Sequence, residues 1–376
     1  MLKVAIIGCG KIADAHAAQL LRIPDCRMVA VCDREILMAK QLSERFPIQS
    51  YYDNLDRLLE ESRPDVVHIT TSPESHSSIA KQCLEAGCHV YVEKPFVLYE
   101  RDAHAIINLA SSRGLLVTAG HDDQFSHVAR RMRALIDAGY LGGRPVHMES
   151  YYCYELGGSA YTNALLSDKS HWVRRLPGKL LQNIISHGIA RIAEQLTSDS
   201  PRIHAWGKTS ACLREAGENE IIDELRVCLD EPEGTSAYFT FSSQMRPSLH
   251  QFRIYGPRNG LLLDQDQETL IRLSGRRPKS YLEKFGTPAN LAKQYCENVL
   301  SNAKLFIAGD FHMKSGMKCL IERFYAAITQ GEPLPIPYRE IILTAKIMDS
   351  IFSQLQAETR GTDERESPYA ALATGL

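Results

Sequence analysis

The residues best suited to chemistry are Glu93 and Lys94, which directly follow the short apolar run His89–Val92. That run predicts a buried strand ending where an acid, an amine and Pro95 begin. Ligands of an open parallel sheet bind at the carboxyl ends of its strands, and a lysine there can stabilise alkoxide character on a reacting hydroxyl. We therefore predict that Lys94 lies where cofactor and substrate meet. A salt bridge to Glu93 or to a surface carboxylate is the structural alternative.

A second polar pair, Asn183 and His187, lies within a run predicted to be helical towards Leu196. Residues four positions apart share one face of a helix. The intrinsic pKa of histidine suits general acid–base work, whereas an amide can orient a hydroxyl but cannot take its proton. We predict His187 as the proton shuttle and Asn183 as the orienting group. A packed helix histidine is the alternative for His187.

The amino terminus carries the pattern of a dinucleotide site. The apolar run 2–7 predicts a buried strand, and a turn with Gly8 and Gly10 leads through Lys11 and Ile12 into a helix. Gly8 permits the tight turn and Gly10 lets a pyrophosphate approach the backbone, while the helix N-terminus favours an anion. These four residues are therefore predicted to bind the cofactor.

The identity of the cofactor depends on the end of the second predicted strand. The apolar run 28–32 ends in Asp33, about where an acid that binds ribose hydroxyls is expected. Its carboxylate would repel a 2′-phosphate, which favours NAD. Arg34 stands beside it, and a neighbouring arginine is how NADP is accommodated, so NADP remains the alternative.

Strand and helix patterns alternate as far as residue 119, which predicts a doubly wound parallel sheet of the Rossmann type over residues 1–122. Thr71-Ser72-Pro73 ends one of the buried strands, and His76 stands near the following helix start. We expect these residues and Glu93 to contact the cofactor. For His76, a structural role in capping or packing competes with a catalytic one.

Several motifs resemble the glucose–fructose oxidoreductase/inositol dehydrogenase family, called Gfo/Idh/MocA. The matching residues are Gly8-Cys9-Gly10-Lys11-Ile12-Ala13, Asp33, Thr71-Ser72-Pro73-Glu74-Ser75-His76, Gly87 to Pro95, Gly120-His121, Phe125, Val128 to Ala138 and Gly139-Tyr140-Leu141-Gly142. The resemblance implies oxidation or reduction of a sugar, cyclitol or related alcohol with a nicotinamide dinucleotide. It also implies that Lys94 lies beside the nicotinamide, commonly before a cis peptide bond. The family commonly has an aspartate where Asn183 stands and a histidine where His187 stands.

Residues 123–356 predict a second, α+β domain for substrate binding and oligomerisation. Six strand-like segments between 146 and 263 predict an open, largely antiparallel sheet with helices on one face. The free face would make a homodimer or homotetramer interface. The segment 156–176 is expected to be irregular and functional, with Trp172 and Arg174 as candidate substrate contacts; a solvated loop with one buried tryptophan is the alternative. Residues 357–376 are expected to form a flexible tail.

Composition narrows the class of protein. With 23% charged residues and a net charge of -2, the 376-residue chain has no signature of a nucleic-acid or membrane surface. No apolar run reaches the roughly 20 residues that span a bilayer, and the amino terminus enters a strand at once. The ten cysteines are scattered without zinc spacing, so we expect a reducing cytoplasm and no metal site.

These patterns together favour an NAD(P)-dependent oxidoreductase that acts on a secondary alcohol or ketone of a sugar, nucleotide sugar or cyclitol. One alternative is a glycosidase that uses bound NAD without net redox change. Another is a cofactor-binding protein without catalysis, in which Asn183 replaced the acid the chemistry needs. Retention of Lys94 and His187 argues against that second alternative.

Overall fold

The computed structural model describes residues 1–155, 160–232, 234–275, 281–312 and 314–365, apart from the side chains at 160–163 and 358–365. Its first sheet has six parallel strands in the order β3-β2-β1-β4-β5-β6. The strands are β1 (Leu2–Ile7), β2 (Cys26–Cys32), β3 (Ser50–Tyr52), β4 (Val66–Ile69), β5 (His89–Val92) and β6 (Val117–Ala119). The helices between them are α1 (Lys11–Leu20), α2 (Ile36–Arg45), α3 (Leu55–Ser62), α4 (His76–Glu85) and α5 (Glu100–Ser112).

The order of this sheet creates its binding crevice. Strand β1 pairs with β2 on one side and with β4 on the other, so the winding direction reverses between β1 and β4. Ligands of doubly wound sheets bind beyond the carboxyl ends of the strands at such a reversal. The predicted Rossmann architecture is thus confirmed.

The second sheet has seven strands in the order β13-β12-β11-β7-β10-β9-β8. They are β7 (His147–Glu155), β8 (Arg202–Lys208), β9 (Glu224–Asp230), β10 (Ser236–Ser242), β11 (Gln244–Tyr255), β12 (Asn259–Asp264) and β13 (Thr269–Ser274). All neighbours are antiparallel except β10 and β7. The predicted open, largely antiparallel sheet is confirmed, with β13 as an edge strand that the sequence analysis did not identify.

Helices accompany this sheet, and two of them also contribute residues to the core of the first. The remaining helices are α6 (His127–Asp137), α7 (Ala160–Ser167), α8 (Lys179–Ile184), α9 (Ser186–Gln195), α10 (Ala211–Glu215), α11 (Glu283–Ile307), α12 (Ser315–Gln330) and α13 (Tyr338–Arg365). Helices α9 and α13 bury Ile189 and Ile347 against the sheet residues Val227 and Phe239. In contrast, α12 buries Leu320 and other apolar residues in the first core, where helix α1 also packs. The chain therefore crosses back after building the second sheet.

Two local expectations are corrected. The segment 156–176 is not irregular throughout, because helix α7 forms and Leu165 packs with Val173 and Leu180 in a small separate core; residues 156–159 lie outside the described residues. The flexible tail was expected from residue 357, but residues 357–365 are helical because α13 continues to Arg365, and residues 366–376 lie outside the described residues. No helix among the described residues is long and apolar enough to cross a membrane.

Candidate active site

A cavity of about 1000 Å³ lies beyond the carboxyl ends of β1, β2, β4 and β5. The predicted site residues that line it are Gly8, Gly10, Lys11, Ile12, Asp33, Arg34, Thr71, Ser72, Pro73, Glu93, Lys94, Trp172 and Asn183. His76, Arg174 and His187 are not among its lining residues. The structure thus brings together the predicted cofactor and substrate residues from both halves of the chain.

The glycine turn fits a pyrophosphate. Gly8 has a φ of +94°, and a Cβ added there would lie 2.7 Å from the backbone nitrogen of Thr71, so the position requires glycine. At Gly10 a Cβ would meet no atom within 4 Å, so this backbone is open towards a ligand. Gly10 is the N-cap of α1, and Gly10 and Lys11 both line the cavity, which exposes the helix terminus to an anion.

Asp33 marks one end of the cavity. One of its carboxylate oxygens accepts a hydrogen bond of 2.7 Å from the Cys9 amide, and the other accepts one of 2.9 Å from the Glu35 amide. The carboxylate is therefore held in one orientation while it keeps lone pairs for ribose hydroxyls. Arg34 lines the same end, so the competing NADP interpretation has a structural basis too.

His76 contacts backbone carbonyl groups beside the site and is not among the residues that line the cavity. The ring is fully buried, with Nδ1 2.9 Å from the Pro95 carbonyl oxygen and Nε2 3.1 Å from the Thr71 carbonyl oxygen. Burial lowers its pKa, so the neutral ring donates to one carbonyl at a time. Of the two roles considered for His76, the structure supports the structural one. The peptide bond between Lys94 and Pro95 is cis, as the resemblance implied.

Lys94 marks the other end of the cavity. Its Nζ donates a hydrogen bond of 3.0 Å to the backbone oxygen of Asn183, which also lines the cavity. The interaction with Glu93 is made by the Lys94 amide, 3.1 Å from Oε2, so the predicted salt-bridge alternative is not what the structure shows. His171 and Trp172 border the same cavity with stacked rings, 5.9 Å between centroids. The ammonium group of Lys94 and the flat apolar face of Trp172 thus line the same cavity.

His187 lies behind the cavity wall. We predicted that Asn183 and His187 share one face of a single helix, but Asn183 lies in α8 and His187 in α9, and of the two only Asn183 lines the cavity. The His187 ring is buried, with Nδ1 3.7 Å from Asp123 and Nε2 3.9 Å from Asp122, and Nδ1 has no hydrogen-bond partner within the described residues. Burial lowers the pKa of His187 to about 4, against the opposing effect of Asp123. The ring is therefore neutral at pH 7, the form that can accept a proton.

Two acids that sequence reasoning missed surround His187. Asp123 accepts a hydrogen bond of 2.9 Å from the Tyr152 hydroxyl, and Asp122 lies 3.4 Å from Lys314 Nζ. Burial and the neighbouring Asp123 raise the pKa of Asp122 to about 7. For Asp123, burial opposes ionisation, but His187 and Arg191 lower its pKa. The pair therefore has one carboxylate that stays ionised and one that titrates near neutrality.

The same cluster has the spacing of a small cation site. Ligand-type atoms of Asp122, Asp123 and His187 lie within 4.8 Å of one another. However, Lys314 and Arg191 already approach the two carboxylates, at 3.4 and 3.9 Å. The acidic charge is thus balanced by protein cations, and we assign no metal here.

Arg174 does not take the predicted substrate-binding position. Its side chain is 6% exposed, and its guanidinium lies 2.5 Å from Glu218 Oε2 and donates to the Leu165 carbonyl oxygen at 2.9 Å. The arginine therefore ties helix α7 to the segment that carries Glu218. The segment in which we expected Arg174 to contact a substrate thus holds it in a buried ion pair.

The sequence analysis missed four residues whose partners at the site are distant in sequence, namely Asp122, Asp123, Tyr152 and Lys314. Asp122 and Asp123 follow Gly120-His121 in the chain, a stretch that the resemblance had marked, so their closeness to the site had a signal. Lys314 and Tyr152 had none, because neither stands at a strand end or within a recognised motif.

Comparison with known proteins agrees with this geometry. Residues 2–121 match the model of the oxidoreductase family with an NAD-binding Rossmann fold. The chain is 32% identical over 142 residues to the D-glucoside 3-dehydrogenase of Escherichia coli K12, and 24% identical over 141 residues to the myo-inositol 2-dehydrogenase of Thermotoga maritima. Each match covers 38% of this chain. The first covers 40% of the D-glucoside 3-dehydrogenase, and the second covers 42% of the myo-inositol 2-dehydrogenase. The matched segment thus spans about two fifths of these relatives.

A solved structure is similar over nearly the whole chain. The UDP-N-acetylglucosamine 3-dehydrogenase GnnA of Acidithiobacillus ferrooxidans has a TM-score of 0.69 at 18% identity, with 93% of this chain and 99% of that chain covered. At this identity the likeness establishes the two-domain fold alone. The glycine turn, Asp33 and the Glu93-Lys94-Pro95 strand end all lie within the matched residues 2–121. The similarity to the Gfo/Idh/MocA family of NAD-binding oxidoreductases thus covers the N-terminal third of the chain.

Proposed function

We propose that the protein is an NAD-dependent oxidoreductase that interconverts a secondary alcohol and a ketone on a sugar, nucleotide sugar or cyclitol. One observation carries this proposal: a single cavity joins the dinucleotide residues Gly10 and Asp33 to Lys94, Asn183 and Trp172. Asp33 and Glu93 follow β2 and β5, three strand positions apart, which corresponds to about 14 Å across the sheet. The cavity therefore has the extent that a dinucleotide and a small substrate need.

Bound NAD would exchange a hydride with the substrate carbon, and the side chains of this protein would handle the oxygen and its proton. Lys94 would donate a hydrogen bond to the oxygen and stabilise its negative charge. His187 would take the proton, through a water or a side chain between it and the substrate, because it lies one turn behind Asn183. Asp123, 3.7 Å from His187 Nδ1, would stabilise the protonated His187 ring by its charge, and Asn183 would hold the hydroxyl.

The substrate class is proposed from the cavity and from the relatives. Trp172 offers a flat apolar face of the kind that packs against sugar rings. The two matched relatives are named for action on a glucoside and on myo-inositol, and the structural neighbour for action on a nucleotide sugar. NAD is proposed over NADP because the fixed carboxylate of Asp33 would repel a 2′-phosphate.

The test is a spectrophotometric screen for NADH production from NAD⁺ with myo-inositol, D-glucosides and UDP-N-acetylglucosamine. We expect turnover with at least one of them, and its loss in Lys94→Ala. Cleavage of an aryl glycoside that requires bound NAD but yields no net NADH would instead establish the glycosidase. Cofactor binding without either activity would establish the non-catalytic alternative.

We also propose that the protein is a homodimer or homotetramer in the cytoplasm. Trp206 and Tyr238, on the sheet face turned away from α9 and α13, are 52% and 48% exposed. All ten cysteines are unpaired, which is in keeping with a reducing compartment. Analytical ultracentrifugation of the parent and of Tyr238→Glu tests the interface, since we expect the variant to dissociate. A monomeric parent would overturn it.

A further inference from the structure

Four buried side chains form a hydrogen-bonded chain that ends at the cavity. The Tyr325 hydroxyl lies 2.8 Å from His68 Nε2, His68 Nδ1 lies 2.8 Å from His16 Nδ1, and His16 Nε2 lies 2.9 Å from Glu93 Oε1. Both histidines are fully buried, and Tyr325 and Glu93 are 5% and 6% exposed. The chain joins α12, β4, α1 and the end of β5, and the proposed reaction makes no use of its first three members.

When both histidines are neutral, the hydrogen bonds of this chain have one self-consistent direction. Ionised Glu93 can only accept, so His16 must donate from Nε2. A neutral His16 then accepts at Nδ1 from His68, and His68 accepts at Nε2 from the Tyr325 hydroxyl. Burial lowers the pKa of His68, which keeps that ring neutral. The tyrosine thus selects the tautomers that present an N–H to Glu93.

Glu93 is held in place on its other sides as well. Its second carboxylate oxygen accepts from the Lys94 amide at 3.1 Å. Gly120 packs so closely that a Cβ there would lie 2.9 Å from Oε1. Burial alone would raise the pKa of Glu93, but the hydrogen bond from His16 and the nearby cations hold it at about 2. A fixed carboxylate therefore borders the cavity three strands away from Asp33.

We propose that Tyr325, His68 and His16 are positioning residues that hold Glu93 as an oriented anion, and that this anion makes the site favour the oxidised over the reduced nicotinamide. The proposal rests on the proposed cofactor. A dinucleotide that has its ribose at Asp33 crosses the reversal between β1 and β4, which brings its nicotinamide half to the β5 side. The oxidised ring carries a positive charge and the reduced ring does not, so only the former is stabilised by a buried carboxylate.

Other charges face Glu93 and must be considered in any test that varies pH. They belong to His76, Lys94, His121, Asp122, His187 and Lys314. Lys94 donates to the Asn183 carbonyl oxygen, and Lys314 approaches Asp122. Asp122 has a pKa of about 7, and Glu93 is one of the groups that raise it, so Glu93→Gln lowers the pKa of Asp122 as well. Each variant is therefore compared with the parent at the same pH.

The test measures dissociation constants of NAD⁺ and NADH, by calorimetry and by NADH fluorescence with NAD⁺ competition. For Glu93→Gln we expect NAD⁺ binding to weaken about tenfold relative to NADH at neutral pH. For His16→Leu, the buried carboxylate loses its donor and its pKa rises. At alkaline pH, where Glu93 is ionised, His16→Leu should prefer NAD⁺ as strongly as the parent does. As the pH falls and Glu93 takes up a proton, its preference should approach that of Glu93→Gln.

If His16→Leu fails to fold, Tyr325→Phe provides the test instead. This change removes only the hydroxyl oxygen and leaves the aromatic ring in place. We expect a smaller change in the same direction. Tyr91→Phe is the matched control: its ring stacks on His68, but its buried hydroxyl has no hydrogen-bond partner among the described side chains. The inference is overturned if Glu93→Gln weakens both nucleotides equally, or if the two tyrosine variants behave alike. If the parent binds neither nucleotide, the proposed function itself fails.

Discussion

Acid should unfold this protein partly through His187, and the size of that effect tests whether the ring is the neutral base we propose. The folded-state pKa is about 4 and the unfolded value about 6.5, so the unfolded chain binds the extra proton first as the pH falls. Stability is therefore intact above about pH 6.5 and declines below it. From the linkage relation, His187 alone accounts for a loss of about 2 kcal/mol between about pH 8 and pH 5. That is a sizeable part of a typical unfolding free energy of 5–15 kcal/mol.

The assay is urea unfolding of the parent and of His187→Gln, followed by circular dichroism at about pH 8 and about pH 5. The glutamine cannot take a proton, so we expect the variant to lose about 2 kcal/mol less than the parent over this interval. His204→Gln, at an exposed position, is the matched control and should keep the pH dependence of the parent. Equal losses in the parent and in His187→Gln would refute the buried neutral histidine, and with it the proton role.

Three further predictions follow from the site. Lys94→Ala should keep the NADH dissociation constant within a few-fold while lowering turnover about a hundredfold; unchanged turnover would make Lys94 structural. Asp33→Ser should reduce the preference for NADH over NADPH about tenfold in a binding titration, whereas a parent that prefers NADPH would contradict the assignment. Arg174→Met should destabilise the fold by about 2 kcal/mol in urea because the buried Glu218 loses its arginine and keeps only the exposed Lys169 as a cation, with Arg175→Met, in an exposed pair, as control.

The sequence predicted those parts of the site that depend on short local motifs. A glycine turn after an apolar run, an acid at a strand end and a lysine before proline each occupy a few consecutive residues, and the fold places such strand ends along one edge. Gly10, Asp33 and Lys94 were therefore identified together with their shared location. Asn183 and His187 were likewise predicted to be helical, and they are, although the short break at Ile185 separates α8 from α9.

What the sequence could not supply are contacts between residues far apart in the chain. An arginine in a polar loop is compatible with either a substrate or a buried acid, and only the fold brings Glu218 to Arg174. His16 and His68 each resemble an ordinary polar residue in an apolar run. Their pairing depends on how α1 lies over β4, which side-chain periodicity does not determine.

The return of α12 to the first sheet has a consequence for how the protein is made. The apolar surface around Ala13 and Tyr91 is completed by Met317, Leu320 and Phe324, which leave the ribosome only after the whole second sheet. A nascent chain that ends near residue 122 would carry this surface uncovered, and exposed surface of that kind promotes aggregation. We therefore expect a fragment of residues 1–122 to need a co-expressed fragment that contains α12 in order to remain in solution. The dinucleotide half of the molecule is thus completed only after the second sheet has been translated, although its own sheet is translated first.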